Sequence, residues 1–343
     1  MISKAERKLI YPLALLVSTS KRKTCEAIAL AIGKSGDALL RLLNEGIATI
    51  EDLVSIAKKI FVGKVLYLII DDTIIAKIHS SMIQGTSDNY DPSSGNTYRS
   101  LCSVTAMISD GHTAIPISQK IWTAKEFVPD TYKKKSELSQ ELITVIRSYL
   151  DVKMFLADGL YATQDMIRWL IANNLPFEMR FHSNRVIEYK GKKIAIRDLL
   201  ELKLTGERVR RTICASWKGM SLYFTAIKRV TKKGVITVVY QVSNYKASAR
   251  QHAQWYGYRW KVEMFFRTSK QHLGLGDCQS RKRKAQHNHI MNVFFVYALL
   301  QVERKKLKLK NQEVAIKYLK RKSYEQLLAQ FMRSDQNFDD TAA

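Results

Sequence analysis

The chain has 343 residues, 46% of them apolar, which suits one large domain with an insertion or two domains. Its 56 Lys and Arg against 31 Asp and Glu leave a formal charge of +25 and a pI near 9.8, which points to a polyanion, with nucleic acid ahead of an anionic membrane surface. The absence of an 18-residue apolar run or a signal peptide argues against a membrane protein, and four scattered cysteines without a CxxC argue against a zinc site or a disulfide framework.

Residues 1–60 read as helices. Thr24 can cap a helix that runs to Ile32 and stops at Gly33, and Ser35 can cap the next, with Ala38, Leu39, Leu42 and Leu43 as its apolar stripe. Preceded by Lys21-Arg22-Lys23, this pair fits either a helix-turn-helix that reads DNA or a plain hairpin packed on the core. Residues 64–71 (KVLYLIID) read as a buried strand ending in Asp71-Asp72-Thr73. A carboxylate there needs donors or a metal, although a turn or cap aspartate is the simpler role.

Residues 79–100, rich in Ser, Asn, Asp and Gly, read as a long polar loop. Leu101 to Ile108 and Ala114 to Trp122 form a predicted hairpin around Ser109-Asp110-Gly111-His112. An amphipathic helix follows over 132–149. A short strand over 152–157 ends in Asp158-Gly159-Leu160-Tyr161, ahead of a helix from Ala162 to Asn173. Asp158 on its own reads as a helix cap. Phe177 to Phe181 is the next strand, with Arg180 a weak candidate for a phosphate contact. Residues 183–245 alternate, are basic and carry Gly turns, so they read as strands, interrupted by a short helix from Ala195 to Leu202.

Residues 252–283 read as one long helix, with no Pro and no Gly between Tyr258 and Leu273. On a helical wheel Tyr256, Arg259, Glu263, Arg267 and Lys270 share an arc of roughly 80°, beside a mostly apolar arc that includes Trp255, Val262, Phe265 and Phe266. Helix geometry alone favours solvated i, i+4 pairs of Glu263 with Arg259 or Arg267. The basic tetrad Arg281-Lys282-Arg283-Lys284 is a solvated run or a phosphate clamp. Residues 288–302 read as a buried helix, and the tail ends acidic and disordered around Asp339-Asp340.

The spacing Tyr256-x2-Arg259-x3-Glu263-x6-Lys270 resembles the Tyr-Arg-Glu-Lys signature of bacterial DDE transposases of the insertion-sequence-four family. The resemblance spans roughly residues 60–300. It implies an α/β fold: a ribonuclease H-like catalytic core with a β-rich insertion domain and a helical N-terminal region. The expected division is 1–60 (helical, DNA-end binding), 61–182 (first part of the core), 183–245 (insertion), 246–335 (helical completion) and 336–343 (disordered tail).

The resemblance makes Asp71, Asp158 and Glu263 the catalytic metal ligands. Asp71 is preferred because Asp71-x-Thr73 fits the first family motif, but Asp72, directly before Thr73, competes. All-carboxylate donors suit Mg²⁺, with Mn²⁺ as the alternative. Tyr256, Arg259 and Lys270 would face DNA, joined by Arg267, Arg281 and Lys282. The family's insertion aromatic aligns with Tyr240, where relatives have Trp, and Trp217 is the alternative.

The implied function is cutting transposon ends and joining them to target DNA by two-metal phosphoryl transfer. The partners are terminal inverted repeats and target DNA, with a homodimer expected on DNA and no membrane role. The place is the bacterial cytoplasm, at the nucleoid. A DNA-binding regulator and a non-transposing metal nuclease are the alternatives.

Overall fold

A computed structural model describes residues 3–46, 48–91, 94–205, 209–230 and 234–339. Parts of the expected polar loop (92–93), of the basic strand-like block (206–208 and 231–233) and of the tail (340–343) lie outside the described residues.

The N-terminal region is helical: α1 (Lys4–Val17), α2 (Cys25–Leu30), α3 (Gly36–Glu45) and α4 (Ile50–Ile60). The caps fall where the sequence places them. Thr24 and Ser35 accept from the N–H groups of Ala27 and Ala38, and Gly33 takes φ +63° between the two helices. Leu39, Leu42 and Leu43 are buried, and α3 packs on the long C-terminal helix α9 (Arg283–Lys306).

The core is one mixed sheet. β1 (Tyr67–Ala76) runs antiparallel to β3 (Asn96–Ser109), which pairs with β2 (Ser87–Asp91) along its first half and β4 (Ala114–Trp122) along its second. On its other side β1 is parallel to β5 (Met154–Ala157), and β5 to β6 (Phe177–Phe181). The strand-like block supplies β7 (Val186–Tyr189), β8 (Lys192–Ala195), β9 (Arg210–Trp217), β10 (Met220–Val230) and β11 (Ile236–Ser243). β11 pairs with β6, so these strands extend the same eleven-stranded sheet. Helices α5 (Lys135–Arg147) and α6 (Gln164–Ala172) contact each other, and α5 packs on β3 and β4. On the opposite face lie α7 (Ala249–Tyr258), against β5, β6, β9 and β10, and α8 (Trp260–His272), against β1. Helices α10 (Gln312–Leu319) and α11 (Tyr324–Asp339) follow α9.

Several expectations change. Ten of the 22 residues of the predicted polar loop are strand: β2 lies inside it and β3 begins at Asn96. The polar side chains there satisfy one another, since the Asn89 amide donates to Ser87 O and to Ser100 Oγ. The short helix after Ala195 is two 3₁₀ turns. The tail is helical to Asp339, four residues into the stretch expected to be disordered. The predicted helix over 252–283 is α7 and α8, joined through a turn at Arg259 with helical dihedrals, and it ends at His272. Gly274 causes the stop. It holds φ +70°, and a Cβ there would stand 2.7 Å from the Lys23 Cβ.

α9 crosses the core, where Phe265 of α8 packs edge-on against Phe294 (5.2 Å) and Tyr297 (4.9 Å). His289 of α9 is fully buried; its Nε2–H donates to Gly274 O (2.8 Å) and its Nδ1 accepts from the Tyr11 hydroxyl (2.9 Å). Burial, helped by the Lys77 charge, lowers this imidazole to about 4. The unfolded chain takes up the proton near 6.5, so His289 supports the fold above about 6.5 and that support is lost as pH falls towards 4. The gap is worth about 3 kcal/mol. Urea midpoints measured from pH 7.5 to 4.5 should therefore fall more steeply for the wild type than for His289→Gln. Parallel slopes would remove His289 from the account.

Candidate active site

Side chains alternate along β1, so Asp71 and Asp72 leave opposite faces of the sheet. On one face, Asp72 accepts from the Lys135 ammonium (2.7 Å), the Tyr161 hydroxyl (3.1 Å) and the Cys102 thiol (3.5 Å). Tyr161 and Cys102 are fully buried. The aromatic that closely follows Asp158 thus pins the carboxylate beside Asp71.

On the other face Asp71 accepts from the Arg259 guanidinium at 2.5 Å. The second terminal nitrogen of Arg259 reaches Glu263 Oε1 at 3.1 Å. The Asp71 and Arg259 side chains are only 14% and 12% exposed, against 39% for Glu263, so the bridge is anchored in the protein and open at the glutamate end.

Asp158 follows β5 directly. β1 and β5 are parallel with Ile70 beside Ala157, so Asp71 and Asp158 each stand one residue past the same level of adjacent strands. Their charges interact. Burial pushes the Asp71 carboxyl up to about 7; Arg259 opposes this, and the charges of Asp72, Glu263 and Asp158 add to it. Burial disfavours the charge on Arg259, but Asp71, Tyr256, Asp158 and Glu263 outweigh it and keep the guanidinium protonated. Asp71 and Glu263 therefore share one buried cation, and the charge of Asp158 reaches both Asp71 and Arg259 without a direct contact.

The family model described as a transposase DDE domain matches residues 67–299, well over half of the chain. The chain belongs to this family of DDE transposases. No curated protein matches the sequence significantly.

The transposase holds its expected DNA-facing residues in several settings. Tyr256 is 6% exposed, with its ring 5.7 Å from the Arg259 guanidinium, so it packs inside the site and does not present a face to a ligand. Arg259 is likewise committed to Asp71 and Glu263. Burial lowers the Lys270 ammonium, while the charges of Asp91 and Glu263 work against that. Arg267, Arg281 and Lys282 are exposed. The tetrad 281–284 lies at the start of α9, beyond the signature helix, where the positive end of the helix gives cations no support and leaves them available to anions. Arg283 is the exception: its guanidinium donates to Ile121 O (2.7 Å).

Near the N-terminus only Lys21 and Arg22 of the basic run are exposed. Lys23 is buried and donates to Ser18 O (2.6 Å), and burial lowers its ammonium to about 8. Tyr240 and Trp217 are both buried, Trp217 edge-on to Phe181 at 5.4 Å. Arg180 is exposed, within electrostatic reach of Tyr256.

Carboxylate oxygens are donors of the kind that a hard divalent cation takes. Among the described residues, however, no group of three or more acidic, His or Cys side chains stands ready to hold a metal, and Asp71 and Glu263 are both paired with Arg259. Among the same residues no helix is long and apolar enough to cross a membrane.

Proposed function

We propose that this transposase cuts DNA at the ends of its element and joins them to a target by phosphoryl transfer, with Asp71, Asp158 and Glu263 as the working carboxylates. The observation that carries the reading is the bridge from Asp71 through Arg259 to Glu263, with Asp158 one residue past the same level on the adjacent strand. The order β4-β3-β1-β5-β6, with antiparallel pairing on one side of β1 and parallel on the other, supports a ribonuclease H-like core. β7 to β11 support the reading of 183–245 as the family's insertion. The Tyr256, Arg259, Glu263, Lys270 spacing supports the insertion-sequence-four group.

Mg²⁺ or Mn²⁺, held by Asp71, Asp158 and Glu263, would supply activation of the attacking oxygen and stabilisation of the leaving oxygen. The protein's own part is charge and position. Arg259 neutralises Asp71 and Glu263, and its guanidinium is also of the kind that pairs with a DNA phosphate. Arg267, Lys270, Arg281 and Lys282 extend that positive surface, in keeping with the overall charge of +25. Two ends must be held together for transfer, so the working form is a dimer on DNA.

The test is cleavage of a labelled duplex carrying the element's terminal repeat, with Mg²⁺, with EDTA, and with Glu263→Gln. Metal-dependent cutting at the repeat end, lost in Glu263→Gln while binding persists, is the expected result. Tight binding without cutting under any metal would move the protein to the regulator reading.

A further inference from the structure

Glu178 of β6 and His252 of α7 form a pair to which the proposed cleavage chemistry assigns no role. Both are fully buried, with His252 Nδ1 2.6 Å from Glu178 Oε2. Their remaining atoms, Glu178 Oε1 and His252 Nε2, have no partner. Burying such groups is costly unless their placement serves something.

The placement is specific. His252 stands one turn before Tyr256 and two before Arg259, so residues 252, 256, 259 and 263 form one stripe along α7 and α8. Glu178 lies level with Leu156 on the neighbouring β5, two residues before Asp158. Ile69 lies level with Leu156 in turn, so Glu178 shares the face of the sheet from which Asp71 projects. The pair therefore joins the strand beside Asp158 to the helix that carries Arg259 across Asp71.

Elsewhere α7 meets other elements through edge-on rings, Trp255 with Tyr245 (5.9 Å) and Tyr258 with Tyr67 (4.9 Å), and through the Lys153 ammonium 5.9 Å from the Trp255 ring. Such contacts hold a helix down without fixing its rotation. A rotation of about 20° moves a group about 6 Å from the axis by about 2 Å. A misplacement of about 1 Å can cost about 100-fold in rate.

We propose that the Glu178–His252 hydrogen bond is a positioning device that sets the rotation of α7 and α8, so that Arg259 spans Asp71 and Glu263. The inference rests on the cleavage reading for its consequence and on geometry alone for its first readout.

That readout is ¹⁵N NMR of the Arg259 guanidinium, assigned by comparison with Arg259→Lys. In the wild type the bridge hinders rotation and the terminal nitrogens give separate signals. In the double variant Glu178→Leu/His252→Leu these signals collapse. Replacing a buried polar pair with unpartnered atoms by apolar residues of similar bulk is commonly neutral for stability, so the thermal midpoint of the double variant stays at or above that of the wild type. Its affinity for the end duplex stays within about threefold, and single-turnover cleavage falls at least about 30-fold. Glu178→Gln, which keeps an acceptor for the His252 Nδ1–H, retains both the signals and most of the rate.

Unchanged Arg259 signals in the folded double variant would overturn the proposal. So would cleavage by that variant within about threefold of wild type, or its failure to fold, which would make the pair a support of the core. A wild type with hindered Arg259 signals and no cleavage keeps the positioning role and sinks the cleavage reading instead.

Discussion

Asp71→Asn should lower metal-dependent cleavage at the element's end by roughly 10³-fold, the loss expected when about 4 kcal/mol of charge stabilisation disappears from a transition state. The fold should hardly notice. Burial pushes Asp71 up to about 7, so its negative charge is a burden on the folded state, relieved only in part by Arg259. Asparagine removes that burden and leaves Arg259 paired with Glu263. The two effects offset, and the thermal midpoint should stay within about 3 °C of wild type. Single-turnover cleavage and a thermal melt of the same preparation read both. Wild-type cleavage by Asp71→Asn would remove Asp71 from the chemistry.

The second expectation concerns its neighbour and has the opposite signature. Asp72→Ala should cost about 3 kcal/mol of stability or more, because it strands the Lys135 ammonium and leaves the buried Tyr161 hydroxyl without its acceptor. The thermal midpoint should fall by about 5 °C or more. At a temperature where the variant stays folded, cleavage should drop by less than about tenfold, since the loss reaches Asp71 only through the shared strand. The adjacent aspartates thus separate by assay, one through rate and one through melting. The reverse pattern, a stable Asp72→Ala that does not cut beside an active Asp71→Asn, would transfer the metal-ligand role to Asp72.

Much of this architecture is legible in the residues. The run KVLYLIID announces a strand covered on both faces, but the expected end at Asp71 is wrong: β1 starts at Tyr67 and continues to Ala76, so Asp71 lies mid-strand, where burial thins. Thr24, Gly33 and Ser35 mark helix ends by chemistry local to each position. β2 hides because Ser87, Asn89 and Ser100 look like loop residues until they bond to one another across the sheet. The wheel gathers Tyr256, Arg259 and Glu263 on one polar arc, and polar arcs usually face water. Here the arc turns inward because Asp71, far away in sequence, needs a buried cation. The Glu178–His252 pair depends on β6 meeting α7; a single Glu or His carries no local mark of such a partner.

The pairing of β6 with β11 has a consequence for how this protein tolerates change. Phe181 and Tyr240 are directly opposed, so the chain runs out from β6 through the strands β7 to β10 of the same sheet and returns beside its point of departure. Asn244 closes the return, its side chain accepting from Phe177 N (3.0 Å) and donating to Leu175 O (3.3 Å). A segment whose two ends are side by side can be shortened, enlarged or exchanged for a tight turn without altering the spacing of the strands that carry Asp71 and Asp158. Variation in length is thereby insulated from Asp71 and Asp158, and a lineage can remodel the block while those two strands stay in register.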